Sequence, residues 1–287
     1  MAAEKTEHGS CAHNFQLYLE HSGEHQAMLQ CMNSVLPAQF KRIGEGKSSL
    51  DFLGVGSGGG EMDAHMLTLL QSTFPGVPVT SDIVEGSVKL TDNFKALVAK
   101  TPNLKAVPFD WHIMPSEDYM KQAKAKGDMK KFDFINMIQM MYYVEDMTAT
   151  IQFYHGLLKK NGRLMIIVEA GKGGWDTLWK TFKNDLCNHT ITEYRSSGEV
   201  KPCLDKLGLK YDEHRIHNEF DISECFDPKS KLGCDLLNFM TGEDDFYTGF
   251  TPETQKAILD LLKDKCSTQK DGKTMFNGTL DCILVHA

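Results

Sequence analysis

The run LGVGSGGGE at Leu53–Glu61 holds the first residues with a chemistry of their own. A strand that ends in glycines and passes into a helix lets backbone N–H groups approach a ligand, because no Cβ stands between them. Two spacings coexist here. Gly54, Gly56 and Gly59 fit G-x-G-x-x-G, the dinucleotide pattern, while Gly56, Gly58 and Gly60 fit G-x-G-x-G. One crossover downstream, VTSDIVEGS supplies Asp82 and Glu85. An acid at the end of a second strand accepts hydrogen bonds from ribose hydroxyls. Glu85, just before Gly86, is the better placed of the two, and Asp82 reads as a solvated acid. This pattern calls for an adenosine-type ligand and leaves both glycine spacings open.

The elements that must hold these residues alternate. Short apolar or β-branched runs at Leu50–Val55, Val77–Ile83, Ala106–Phe109, Phe132–Ile138 and Leu164–Val168 are separated by amphipathic stretches of helix length, the pattern of a parallel sheet with crossover helices. Between the first two, Met62, Met66, Leu67 and Leu70 recur at helical spacing, and PGVP ends the crossover. Ahead of the sheet, Phe15, Leu19, Met28, Met32 and Leu36 predict two short helices broken near Ser22–Gly23, lying outside the sheet order as a lid. Beyond Val168, a helical region begins at GWDTLWKTF, LGLKYDEHRIH reads as a sixth strand, PETQKAILDLLKDK as a helix and GTLDCILVHA as a last strand.

Composition narrows the partners. The 287 residues, 41% hydrophobic, can bury a sizeable core in one domain with insertions. With 39 acidic against 31 basic residues, the net charge is -8 and no basic arm suited to nucleic acid is present. No apolar run approaches the roughly 18 residues that span a bilayer, and MAAEKTEHGSCAHNF does not read as a secretory signal, so a soluble cytoplasmic protein is expected. The eight cysteines form no C-x-x-C pair and read as reduced thiols. Among 11 histidines, His21 and His25 stand four apart, but no further ligand completes a metal set.

Longer segments carry a resemblance. FDFINMIQMMYYVEDM, FYHGLLKKNGRLMIIV and GWDTLWK, with EHSGEHQAM and LVAKTPNL before them and LDKLGLKY, DISECF and FNGTL after, resemble the histamine N-methyltransferase family across nearly the whole chain. That resemblance implies an α/β class I methyltransferase fold, a doubly wound, Rossmann-like sheet of seven strands, with S-adenosylmethionine as methyl donor. It selects the second glycine spacing. It also implies a single domain over residues 1–287: a helical lid at 1–45, a cofactor core at 46–170 and a substrate side at 171–287. Monomer is the family's default state.

Carried over by position, Gly56, Gly58 and Gly60 face the methionine end of the cofactor, Glu85 the ribose, Ser116 the adenine and Ile138 the far wall. For the acceptor, the resemblance points to Glu24 as partner of an ammonium, although residue type alone would equally suit a solvated helix-end acid. Gln139, Tyr142 and Tyr143 follow the fourth strand, where a crevice at strand carboxyl ends is expected. Trp175 and Trp179 share a helical face and are suited to walling a flat ring, and Phe15 and Phe239 match pocket aromatics.

Several positions depart from the family. Leu90 replaces a cofactor-side glutamine, Gly278 a substrate-side asparagine, Asn188 a glutamine, and Lys5 and Cys11 two lid aromatics. Loss of the asparagine side chain is expected to open volume, and a lid lysine to meet an anion, which favours carnosine over histamine as acceptor. Methyl transfer from a sulfonium needs alignment and exclusion of water, so no catalytic side chain is required. A non-catalytic amine binder and a nicotinamide oxidoreductase are the competing readings.

Overall fold

The computed structural model describes residues 9–186 and 191–287, with side chains described from residue 13 onward. Seven strands form the main sheet: β1 (Leu50–Val55), β2 (Val79–Val84), β3 (Phe109–His112), β4 (Phe132–Ile138), β5 (Leu158–Glu169), β6 (Tyr211–Ile216) and, last in the chain, β10 (Leu280–His286). Their order is β3-β2-β1-β4-β5-β10-β6. The first five run parallel, whereas β10 is antiparallel to both its neighbours.

Alternation of side chains sorts this sheet into two buried faces. Leu164, Ile166 and Val168 of β5 join Ile135 and Met137 of β4 in one core. Met165 and Ile167 point the other way, with Phe134 and Phe52. Apolar residues therefore run continuously along β4 and β5, as in a sheet covered by helices on both sides.

The break near Ser22–Gly23 falls where the spacing predicts it. Helix α1 (Gly9–Ser22) and helix α2 (Glu24–Gly44) meet at Gly23, which sits at φ 65, a left-handed conformation open to glycine. The second helix has 21 residues and is not short. It buries Met28, Met32, Leu36 and Phe40 in the same core as Phe52 and Phe134, so α2 covers one face of the sheet. Only α1 stands off it, packed against α9 (Lys231–Thr241).

Between β1 and β2 lies α3 (Glu61–Thr73), and α4 (Val88–Lys100), α5 (Ser116–Lys126) and α6 (Met147–Gly156) are the next crossovers. After β5 come α7 (Gly174–Thr181) and α8 (Ser197–Lys206), then α10 (Phe246–Gly249) and α11 (Pro252–Asp264) beyond α9. A second sheet, absent from the sequence reading, pairs β7 (Glu219–Asp221), β9 (Lys273–Asn277) and β8 (Ser267–Lys270). Its hairpin turns at Asp271–Gly272, both at positive φ (52 and 75), as a two-residue turn matched to strand twist requires. Phe220 and Phe276 of this sheet form a third core with Trp175 and Leu236. No helix among the described residues is long and apolar enough to cross a membrane.

Candidate active site

Every parallel strand contributes to one edge of the sheet. Carboxyl ends of β1 to β5 lead into Gly56, Glu85, Ser116, Gln139 and Glu169 in turn. The strand order reverses between β1 and β4, and open α/β sheets bind ligands in the crevice at such a point.

On the glycine side, Gly56, Gly58 and Gly60 all lie at positive φ (69, 57 and 83). A Cβ on Gly60 would come within 2.1 Å of the Phe94 ring, whereas one on Gly58 would have nothing within 4 Å. Gly60 thus serves packing, whereas the space beside Gly58 is open. The Gly58 N–H donates to Glu85 Oε2 at 2.8 Å, and Ser87 N–H donates to Oε1 at 3.0 Å. Ionised carboxylate oxygens have lone pairs to spare beyond these two bonds, so Glu85 is tied down yet able to accept from hydroxyls. Ser116 begins α5 and shares a hydrogen bond with the Tyr154 hydroxyl at 2.8 Å. Ile138 closes β4, half-buried, and Leu90 sits in the first turn of α4, its N–H donating to Ser87 Oγ. Asp82, expected to be solvated, is 3% exposed and paired with Lys130 at 2.6 Å and His112 at 3.0 Å. Asp82, His112 and Asp110 form a potential metal-ligand group among the described residues, but Lys130 already satisfies Asp82.

Gly54 explains a buried acid behind the loop. A Cβ there would lie 2.5 Å from Asp63 Oδ1, which accepts from Asn136 Nδ2 at 2.7 Å. Burial pushes the Asp63 carboxyl up to about 7. Because that folded value lies above the unfolded value near ~3.9, Asp63 supports the fold fully below the unfolded value and loses that support as pH rises through about 7. Asp63→Asn is therefore expected to melt higher relative to wild type at pH 8 than at pH 5. Parallel melting-temperature curves from differential scanning fluorimetry would show that Asp63 does not titrate there.

The second half of the edge is aromatic and acidic. Glu24, at the start of α2, is 6% exposed and accepts from the Tyr18 hydroxyl and from Gln139 Nε2, each at 2.5 Å. Tyr142 Oη donates in turn to Gln139 Oε1 at 3.0 Å. Gln139 holds this place with φ 53, its N–H donating to Ile167 O at 2.8 Å. Non-glycine residues at positive φ cost energy and persist where surrounding bonds over-determine them. Tyr18 stacks on Phe239 at 4.4 Å and meets Trp175 edge-on at 5.6 Å, and Phe15 lies 5.8 Å from Phe239. Trp179 stacks at 6.0 Å on Tyr194, a ring with no earlier assignment, and its Nε1 donates to Met240 O.

Phenols in this region stay protonated. Burial first, then the charge of Glu24, holds Tyr18 well above its ordinary range. Burial and the charge of Glu169 do the same for Tyr142 and Tyr194, and push Tyr143 up to about 12.

Gly278 does not open the space its residue type suggests. A Cβ there would meet Phe220 at 3.1 Å and Asn218 Nδ2 at 3.3 Å, so neighbours already fill the position. That Asn218 nitrogen is buried without a hydrogen-bond partner among the described residues. Asn188 and Lys5 lie outside the described residues, as does the side chain of Cys11. Sequence reasoning missed Tyr18, Glu169, Tyr194 and Asn218. For Glu169 a signal existed: IIVEA ends an apolar strand in an acid, the feature that marks Glu85 in DIVEG.

Comparison with known proteins bears on the family and the fold. A family profile described as a methyltransferase domain matches residues 24–214. Histamine N-methyltransferase A of Xenopus laevis is 39% identical over 283 residues, covering 98% of this chain and 97% of that one. Carnosine N-methyltransferase 2 of Gallus gallus is 38% identical over 275 residues, covering 95% and 85% respectively. Among solved structures, the plantazolicin methyltransferase BpumL in complex with SAH superposes with a TM-score of 0.51 at 12% identity over 99% of this chain and 93% of its own, a likeness of fold. From the matched domain and near-full-length identity, the chain belongs to the histamine N-methyltransferase family and is an S-adenosylmethionine-dependent methyltransferase.

Proposed function

We propose that this protein methylates a ring nitrogen of a small imidazole with a cationic tail, with histamine the preferred acceptor. Glu24 carries the reading: a buried carboxylate among aromatic rings, with no Lys, Arg or His ion-paired to it among the described residues. Two of its roughly four lone-pair sites are used by Tyr18 and Gln139, leaving acceptors for an ammonium. Trp175, Trp179, Tyr142, Tyr143 and Phe239 supply flat walls for the ring.

The glycine edge fits the methyl donor. Gly58 leaves a cradle that a side chain would fill, and Glu85 offers free lone pairs at the end of β2. When bound there, S-adenosylmethionine supplies an electrophilic methyl carbon with sulfur as leaving group. Gly56, Gly58 and Gly60 are assigned to its methionine end, Glu85 to the ribose, Ser116 to the adenine and Ile138 to the opposite wall. Helix α1, through Tyr18, acts with Glu24, Trp175 and Phe239 in enclosing the acceptor. An imidazole with a pKa of about 6.5 is largely neutral at cytosolic pH, so its free nitrogen already has a lone pair to align.

The sequence alone favours carnosine. Its main support there was open volume at Gly278, which Phe220 and Asn218 fill. A carboxylate-bearing acceptor would also meet the charge of Glu24 and, as pH rises toward about 8, of Glu169, at a cost in like-charge repulsion. What still favours carnosine as a second reading is Asn218 Nδ2, a buried donor in need of an acceptor. Methyl-labelled cofactor with histamine, histidine, N-acetylhistidine and carnosine separates these readings. Histamine is expected to give the highest kcat/KM, a carnosine preference would reverse the order, and no product from any would leave a non-catalytic amine binder.

A further inference from the structure

Glu169 closes β5 as Glu85 closes β2, but its surroundings are different. Its Oε2 is buried with no hydrogen-bond partner among the described residues. Tyr18 on α1, Tyr142 and Tyr143 after β4, and Tyr194 before α8 all feel its charge. Glu24 on α2 and Asp176 on α7 act on Glu169 itself. Asp176 has a cation of its own, Lys180 at 2.8 Å, whereas no Lys, Arg or His is ion-paired with Glu24 or Glu169 among the described residues. Gln139, whose side chain donates to Glu24, donates its own N–H to Ile167 O, two residues before Glu169, so the ends of β4 and β5 lie side by side.

Two buried carboxylates with acceptor oxygens to spare suit a ligand with two N–H-bearing ends, and Glu24 serves only one of them. We infer that Glu169 is a second acceptor-binding carboxylate: it accepts the N–H of the imidazole ring, turns the opposite nitrogen toward the methyl donor, and receives the ring proton after transfer. This deepens the acceptor reading above and rests on it. In the transfer, the free ring nitrogen's lone pair bonds to the methyl carbon, and the C–S bond breaks with its electron pair kept by sulfur. The methylated ring cation then gives its N–H proton to the Glu169 carboxylate, leaving a neutral methylimidazole and a neutral carboxyl. Burial, with the charge of Glu24 second, holds this carboxyl up to about 8, so the ionised form that accepts the ring N–H and then its proton grows as pH rises toward 8.

The test compares wild type with Glu169→Gln. Histamine is titrated into each protein's complex with S-adenosylhomocysteine across roughly pH 6 to 9, and turnover and product isomers are measured alongside. Ring protonation affects both proteins alike, so the difference between them is read. Wild-type affinity is expected to gain a component rising through about pH 8 that the variant lacks. The variant is expected to lose roughly tenfold or more in kcat/KM for histamine, to release both ring isomers, and to shift its preference toward carnosine with cofactor affinity unchanged. A matching pH profile, a single isomer and an unchanged acceptor ratio would overturn the inference.

A measurement on wild type alone guards against a misfolded variant. Doubly ¹⁵N-labelled histamine in the S-adenosylhomocysteine complex is expected to show one ring tautomer with a strongly hydrogen-bonded N–H, and an averaged tautomer pair would overturn the inference. A wild type inactive on every imidazole removes the acceptor reading as a whole, whereas an active wild type with an indifferent variant removes Glu169 alone.

Discussion

Replacing Glu24 by Gln is expected to raise the KM for histamine about 30- to 150-fold, the equivalent of about 2–3 kcal/mol lost when one partner of a desolvated charge pair is removed. The substitution keeps shape but breaks the direction of a hydrogen-bond chain. Tyr142 Oη donates to Gln139 Oε1, Gln139 Nε2 donates to Glu24 Oε1, and the Tyr18 hydroxyl donates to Oε2. Both chains end on Glu24 as donors, so only a group with two acceptor oxygens satisfies them. A glutamine amide would turn its N–H₂ toward one of these donors, and flipping Gln139 to compensate would break its bond to Tyr142. Cofactor affinity should not move, because Glu85 and Gly58 bond to each other and not to Glu24. The diagnostic comparison is an imidazole without the tail amine, for which the variant should differ from wild type by less than about threefold. An unchanged histamine KM would remove Glu24 from the acceptor site.

What was legible in the sequence is what is local. Strands β1 and β4 coincide with the runs Leu50–Val55 and Phe132–Ile138, because each is an apolar segment bounded by turn residues. Strand β3 lies later than Ala106–Phe109 because the 3₁₀ turn Pro102–Leu104 continues into a bond from Val107 N–H to Leu104 O, and pairing with β2 begins only at Phe109. The hairpin β8–β9 escaped because β8 (STQK) is mostly exposed and has no apolar alternation, although Asp271–Gly272 carried the turn signal. The site divides in the same manner. Glycines and Glu85 belong to one βαβ unit and can be read from spacing. The groups proposed for the acceptor, Tyr18, Glu24, Glu169, Tyr194 and Asn218, come from α1, α2, the end of β5 and the segments before α8 and β7, far apart in the chain. That Glu24 is capped by two donors, or that Glu169 Oε2 has none among the described residues, is a property of packing that no local pattern holds.

Gly58→Val is expected to weaken S-adenosylmethionine binding at least about 100-fold while costing the fold only the strain of one backbone position. Gly58 sits at φ 57, where a β-branched residue costs about 1–2 kcal/mol of backbone strain. Nothing lies within 4 Å of its would-be Cβ, so no protein atom has to move to admit the first carbon. The new side chain instead stands in the crevice over the carboxyl ends of β1 and β2, beside the bond from Gly58 N–H to Glu85. Gly60→Ala is the contrasting variant. Its Cβ would fall 2.1 Å from Phe94, a ring with no exposed surface, so the loss should appear in melting temperature. Cofactor titration and thermal melts of both variants separate the two effects. Unchanged cofactor affinity in Gly58→Val would sink the loop assignment, and NAD binding by the wild type would revive the competing G-x-G-x-x-G spacing. Loss of binding in one variant and of stability in the other would mean that two glycines one residue apart in G-x-G-x-G are there for different reasons: one keeps a ligand's space clear, and the other yields its own to Phe94.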